Sequence, residues 1–150
     1  MIRAISHGHV VQVGIMGKKV AREDPGGDGK TNADIGAIHE GALMEMGSVS
    51  QRIPVRSFLR MPIRVKYDQI IKQASKGMAD LLAEPFGYLK VLKNLGIACE
   101  VAIQEAFATR GFGHWKPNAP STVKRKHSDA PLIDTGQLRR SITSRVIEKS

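Results

Sequence analysis

The stretch Pro131-Leu132-Ile133-Asp134-Thr135-Gly136-Gln137-Leu138-Arg139-Arg140-Ser141-Ile142 joins a loop, a short helix and the start of a strand. Asp134 has the side chain of a helix N-cap. Gln137, three residues on, completes a capping-box-like pair, so the spacing predicts a short helix beginning at Thr135. Pro131 keeps the residue before it extended, while Leu132, Ile133, Leu138 and Ile142 supply apolar anchors that fix the corner to a core. No nucleophile or base is arranged within it, so the corner reads as structural. The closing run from Ser141 to Ile147 returns as a strand.

Upstream, Ile63, Tyr67, Ile70, Ile71, Ala74, Met78, Leu81 and Leu82 keep the spacing of one helix face. Pro62 is tolerated in the first turn of that helix, and Pro85 and Gly87 end it. A second helix is predicted from about Tyr88 to Thr109. It buries Leu92, Leu95, Cys99, Ala102, Ile103, Ala106 and Phe107, has Gly96 in its middle, and stops at Gly111. From Gly111 to Pro131 the chain reads as a long connection holding Trp115, Pro117 and Pro120. Near the N-terminus, Val11, Val13 and Ile15 alternate as a half-buried strand over His9 to Ile15. Residues 17–32 are polar and glycine-rich, the pattern of a mobile exposed loop. Ala33 to Leu43 suits one or two helical turns, Gly47 to Gln51 a loop, and Ile53 to Leu59 an extended lead-in. These elements predict a single α+β domain over residues 1–150, in which two long amphipathic helices pack a small, mostly antiparallel sheet.

Composition agrees with one domain: the chain has 150 residues, 41% hydrophobic and 25% charged. No apolar run approaches a membrane span and no signal-peptide core follows the N-terminus, so the expectation is a soluble, cytoplasmic product without membrane contact. Cys99 is the single cysteine, which excludes an intrachain disulfide and a thiolate metal cluster; its apolar neighbours predict a buried, inert thiol. The net charge of +9 is uneven. Arg52, Arg56, Arg60, Arg64 and Lys66 follow one another with no acid between them. Nine basic residues from Arg110 onward, Lys124, Arg125, Lys126, Arg139 and Arg140 among them, face only Asp129, Asp134 and Glu148. Such asymmetry points to acidic partners, either nucleic acid or a negatively charged protein ring.

Catalytic and ligand motifs fail residue by residue. Gly29-Lys30-Thr31 lacks the glycine that a phosphate loop needs at position 24, which is Asp24. A calcium loop begun at Asp24 would place Gly26 and Ile35 where ligands belong. His7 and His9 share a strand face without a third ligand, and His39-Glu40 has Leu43 where a zinc helix has its second histidine. His114 has no serine or carboxylate at an interpretable spacing. No enzyme, metal or cofactor is expected. Trp115 either caps the end of the core or anchors an interface, and Lys124-Arg125-Lys126 is either a solvated run in a loop or a contact for phosphate or acidic protein.

The segment from Leu132 through Asp134, Thr135, Gly136 and Leu138 to Ile142 resembles the "LLDTGxLRxSI" pattern of tailed-phage virion-morphogenesis proteins, the tail-completion or neck family. Trp115 to Lys126 resembles that family's "W-x-P-L-x-P-x-T-x-x-R-K" segment. His39-Glu40-Gly41 with the residues around it is similar to its "IHEFGA" segment, and Pro54, Phe58 and Leu59 lie in a stretch similar to "IPARPFLR". In many such proteins the tryptophan and Asp-Thr-Gly segments come first, whereas here they come last; a circular permutation accommodates that order when termini lie close together. The resemblance implies a structural virion protein of the neck, made in the host cytoplasm. It would form a ring of identical subunits between a head-side connector or adaptor and a tail terminator or tail tube protein, with phage DNA in the channel as a further partner. From another class, the charge alone supports a basic nucleic-acid-binding module acting in packaging or DNA handling, although aromatic content is only 5%.

Overall fold

The computed structural model describes residues 2–6, 8–15, 41–126, 129–132 and 137–148. The predicted loop at 17–32 lies outside them, as do His39, Glu40, Asp134, Thr135 and Gly136. Three strands form one antiparallel sheet in the order β1 (Ile2–Ser6), β2 (His9–Ile15), β3 (Ile142–Glu148). β1 was not expected; its pairing of Ser6 with His9 closes a tight hairpin in which Gly8 takes φ +76°. β2 is therefore central rather than half-buried. Val11 and Val13 face the core, and Val10 and Gln12 on the other face are buried too. Gln12 Oε1 there accepts from Arg145 Nε at 3.2 Å and Nη2 at 3.1 Å, its register partner on β3.

Among the described residues seven helical segments accompany the sheet: α1 at 41–46, α2 (Arg60–Val65), α3 (Tyr67–Ala74), α4 (Met78–Ala83), α5 (Gly87–Ala108), α6 (Pro120–Lys126) and α7 (Gln137–Arg140). The chain is thus α+β. The region predicted as one helix from Pro62 to Leu82 is three. At Lys66 the chain bends, although Lys66 N–H still reaches Pro62 O at 2.9 Å. At Gly77 it breaks, because φ +69° is a helix-terminating conformation. Ser75 Oγ also donates to Ile71 O at 2.8 Å, competing with the main chain at the same place. Apolar spacing carried no trace of these breaks. α6 corrects a second expectation: Lys124, Arg125 and Lys126 belong to a helix, not a loop, with Pro120 at its first position, where a missing N–H costs nothing.

α5 matches its predicted span and is the spine, packed on β2 and β3 on one side and on α2, α3 and α4 on the other. Ile103 and Ala106 are fully buried along it, and Phe107 joins Phe58 and Trp115 in an aromatic cluster with ring centroids 5.7 and 5.6 Å apart. Burial pushes the Cys99 thiol up to about 11, with Glu100 adding repulsion. At the end of α5, Gly111 N–H returns to Ala106 O at 2.7 Å, and Arg110, Gly111, Phe112 and Gly113 all have positive φ. A Cβ on Gly111 would stand 2.4 Å from the Trp115 indole, so this left-handed turn lays the tryptophan against bare backbone.

Gly96 has a comparable reason. A Cβ there would lie 2.6 Å from Ser144 Oγ, 2.8 Å from Ser144 Cβ and 3.1 Å from Val11 Cγ2, so glycine sets how closely α5 approaches the sheet. Helix propensity alone favours Gly96→Ala by about 1 kcal/mol, whereas overpacking of this kind costs about 1–3 kcal/mol. We expect the variant to be destabilised in chemical denaturation, and Ser144→Gly in the same chain to recover part of the loss.

Candidate functional site

The segments that carry the sequence resemblance meet at one corner, and its centre is a residue the motifs did not mark. Residues 57–60 lead into α2, whose first N–H groups have no partner within the helix. Glu45, from α1, supplies one. Its Oε2 accepts from Phe58 N–H at 2.7 Å and Leu59 N–H at 2.9 Å, and its Oε1 from Ser57 Oγ at 2.7 Å, Arg60 N–H at 3.2 Å and Arg60 Nε at 3.0 Å. Ser57 Oγ in turn accepts from Met61 N–H at 3.0 Å. Burial acts to raise the carboxyl pKa, but hydrogen bonds from Leu59, Ser57 and Arg60 outweigh it and hold the group below its ordinary 4.5.

Arg56 fastens a third segment to this pair. It is buried at 6% exposure, donating from Nε to Lys116 O and from Nη2 to Pro117 O, both at 3.0 Å. Burial pulls its pKa below the usual arginine value, and a guanidinium still stays charged. Next to it Trp115 Nε1 donates to Ser57 O at 3.4 Å. The fourth segment arrives at Gly41, where a Cβ would meet Ile15 Cδ1 at 2.5 Å, Phe58 Cζ at 3.6 Å and Leu138 Cδ1 at 3.7 Å. Phe58, Leu59 and Ile142 are buried and Pro54 is half-buried.

Two of the expected interface residues are therefore internal: Arg56 holds main-chain carbonyls, and Trp115, 7% exposed, covers the core's end. Arg139 is also engaged, donating from Nε to Gln104 Oε1 at 2.7 Å while its carbonyl accepts from Gln104 Nε2 at 3.0 Å, which ties α7 to α5. Arg60 shares Glu45 but leaves 65% of its side chain exposed. Arg52, Arg64, Lys124 and Arg140 are exposed, and the side chains of Arg125 and Lys126 lie outside the described ones. Among the described residues the basic side chains are distributed over α2, α6, α7 and the loop before α2. Reasoning from sequence missed Glu45 and Gln104. The signal for Glu45 was a lone acid in the otherwise uncharged run Gly41-Ala42-Leu43-Met44-Glu45-Met46.

Among the described residues no group of three His, Cys, Asp or Glu side chains could hold a metal ion, and no helix is long and apolar enough to cross a membrane. His9 packs against Tyr88 with the rings tilted by 60° and their centroids 5.4 Å apart. Comparison with models of known protein families, with curated proteins and with solved structures gives no match for this chain.

Replacing Glu45 by Gln leaves acceptors too few for five donors and should cost about 2–4 kcal/mol. Because the folded-state pKa is lowered, the carboxylate's contribution is fully present above pH 4.5 and fades as pH falls through the folded value. In urea titrations the gap between wild type and Glu45→Gln should be constant near neutrality and shrink as the pH drops below 4.5. A gap that holds constant into stronger acid would mean the carboxylate does not cap α2.

Proposed function

We propose that this chain is a structural virion protein of a tailed-phage neck, a ring-forming subunit that joins the DNA-filled head to the tail. The observation that supports it is the convergence just described. Segments scattered from Gly41 to Ile142 resemble four motifs of one family, and their described residues lie together: Arg56 donates hydrogen bonds to Lys116 and Pro117, Ser57 accepts one from Trp115, and Gly41 lies against Phe58 and Leu138. Motifs acquired separately by chance have no reason to share a corner. Among the described residues the corner is built from caps, buried rings and main-chain hydrogen bonds, which suits a structural role. Helices and loops on its surface carry exposed Arg52, Arg64 and Lys124 toward acidic neighbours: a connector or adaptor above, a tail terminator or tube protein below, and DNA in the channel.

The direct test is deletion of the coding sequence from the phage, followed by electron microscopy of the lysate and mass spectrometry of purified wild-type particles. The expected result is DNA-filled heads and free tails, unjoined, with the protein present in intact particles. Missing heads, or tailed particles without DNA, would move the function to capsid assembly or to packaging by a basic nucleic-acid-binding module; absence from the particle would remove the neck assignment. Charge reversal at Lys124 together with Arg125 and Lys126 should reduce the yield of tailed particles more than it lowers the melting temperature, since Lys124 is exposed on α6.

A further inference from the structure

Residues 46–55 form a stiff, hairpin-like projection. Ser48 and Ile53 pair antiparallel through hydrogen bonds of 2.9 and 2.8 Å, Arg52 N–H closes the tip onto Val49 O at 3.1 Å, and Gln51 N–H reaches Ser48 Oγ at 3.3 Å. Gly47, at φ +75°, lets Val55 lie against bare backbone, since a Cβ there would strike Val55 Cγ2 at 2.8 Å. The tip turns Val49 outward at 98% exposure, and Met46 and Val55, at the base, are more than half exposed. A preformed apolar projection loses little conformational entropy when it docks.

The charge around the projection has one sign. From Met46 to Tyr67 the sequence contains no acid. Glu45, just before it, is buried and spends its oxygens on the start of α2. That same contact brings α2 to the foot of the projection: Glu45 Oε1 lies 3.0 Å from Arg60 Nε, and Arg56 N–H reaches Met44 O at 2.9 Å. Arg60 keeps most of its side chain in solvent, and exposed Arg64 follows one turn along the same helix. At the tip, exposed Arg52 closes the turn that begins at Val49. Among the described residues neither Arg52 nor Arg64 meets a carboxylate. The surface therefore combines apolar groups with cations at tip and foot, and its complement is an apolar hollow edged by carboxylates.

Only one class of occupant satisfies both halves. A phosphate backbone neutralises the arginines but gives Met46, Val49 and Val55 no apolar surface against which to leave water. A second copy of the chain, itself at +9, is repelled. A different protein with an acidic surface meets both demands. We propose that the 46–55 projection, with Arg60 and Arg64 at its foot, docks into an apolar hollow edged by Asp and Glu side chains on a different protein; that this protein is a neighbour in the virion rests on the functional reading above. Salt weakens such a contact, whereas it would strengthen pairing between like-charged copies.

The test places p-benzoylphenylalanine at Val49 of the full-length chain in the cells that make the protein and irradiates them, with the same group at exposed Ser121 on α6 as control. The expected result is an adduct specific to position 49, with one protein other than this chain, whose linked peptide, mapped by mass spectrometry, is rich in Asp and Glu. With that partner purified, Arg52→Glu should weaken binding about tenfold at low salt and less at high salt, and a lysine in place of a mapped acid should restore it. Val49→Ser should weaken binding about tenfold without lowering the melting temperature, since Val49 lies outside the core. Adducts to a second copy or to nucleic acid, no adduct at all, a linked peptide without acids, or binding indifferent to both substitutions would each overturn the proposal. An acidic partner absent from phage particles would keep the docking surface and sink the neck reading. A protein present in particles but without an adduct from position 49 would keep the neck reading and sink the docking surface.

Discussion

The Glu45 carboxylate accepts from three successive main-chain N–H groups, from Ser57 and from Arg60. At the start of α2 these donors would otherwise face a packed interior, where each unmet one costs about 1–3 kcal/mol. Their satisfaction fixes the path of residues 57–60, and that path carries Phe58 to its fully buried place against Phe107. Trp115 then packs edge-on to Phe107 and bonds to Ser57 O, while Arg56 holds the strap at Lys116 and Pro117. One charge on a short helix thus sets the geometry of three distant segments. The arrangement also explains why a buried carboxylate ends up more acidic than usual: donors aimed at the charged form outweigh desolvation.

α5 provides the rigid reference for that corner. It touches the sheet closely enough at Gly96 to exclude even a methyl group, and at its C-terminus a left-handed turn from Arg110 to Gly113 redirects the chain under Trp115. Non-glycine residues in that conformation cost about 1–2 kcal/mol each. Arg110 and Phe112 accept it because Arg110 forms a paired contact with Asp129 at 3.0 and 3.1 Å, and Lys66 sits 5.1 Å over the Phe112 ring. The contacts that offset the strain are the same ones that attach the region after α5 to α2 and α5.

How much of this was legible follows from the range of each signal. α5 was readable because its apolar period is unbroken and helix-breaking residues flank it; β2 was readable from the alternation of Val11, Val13 and Ile15. The division of 60–83 into α2, α3 and α4 was hidden, since all three helices pack on α5 and the apolar spacing runs on through Lys66 and Gly77. α6 was mistaken for a loop because one proline and three basic residues make up most of it, although Pro120 marked its first turn. The stretch 131–142 was expected to be structural, but the meeting of segments around Glu45 was not expected: no spacing rule links Glu45 to residues 57–60, because the link exists only once α1 and α2 have been brought together.

Charge shows the same gap between sequence and surface. A total of +9 suggests a broadly basic exterior, yet Arg56, Arg139 and Arg145 direct their guanidinium groups at Lys116 and Pro117 carbonyls, Gln104 and Gln12. Arg60, Lys66, Lys90 and Arg110 meet Glu45, Glu105, Glu84 and Asp129. Several of the bases that make this sequence look like a polyanion binder are instead fasteners between elements. Among the described residues exposed Arg52 and exposed Val49 share one turn, a mixture of cation and apolar group. A mixed apolar and cationic surface of that kind recognises another protein better than it tracks a phosphate backbone, whose binding calls for an uninterrupted row of cations.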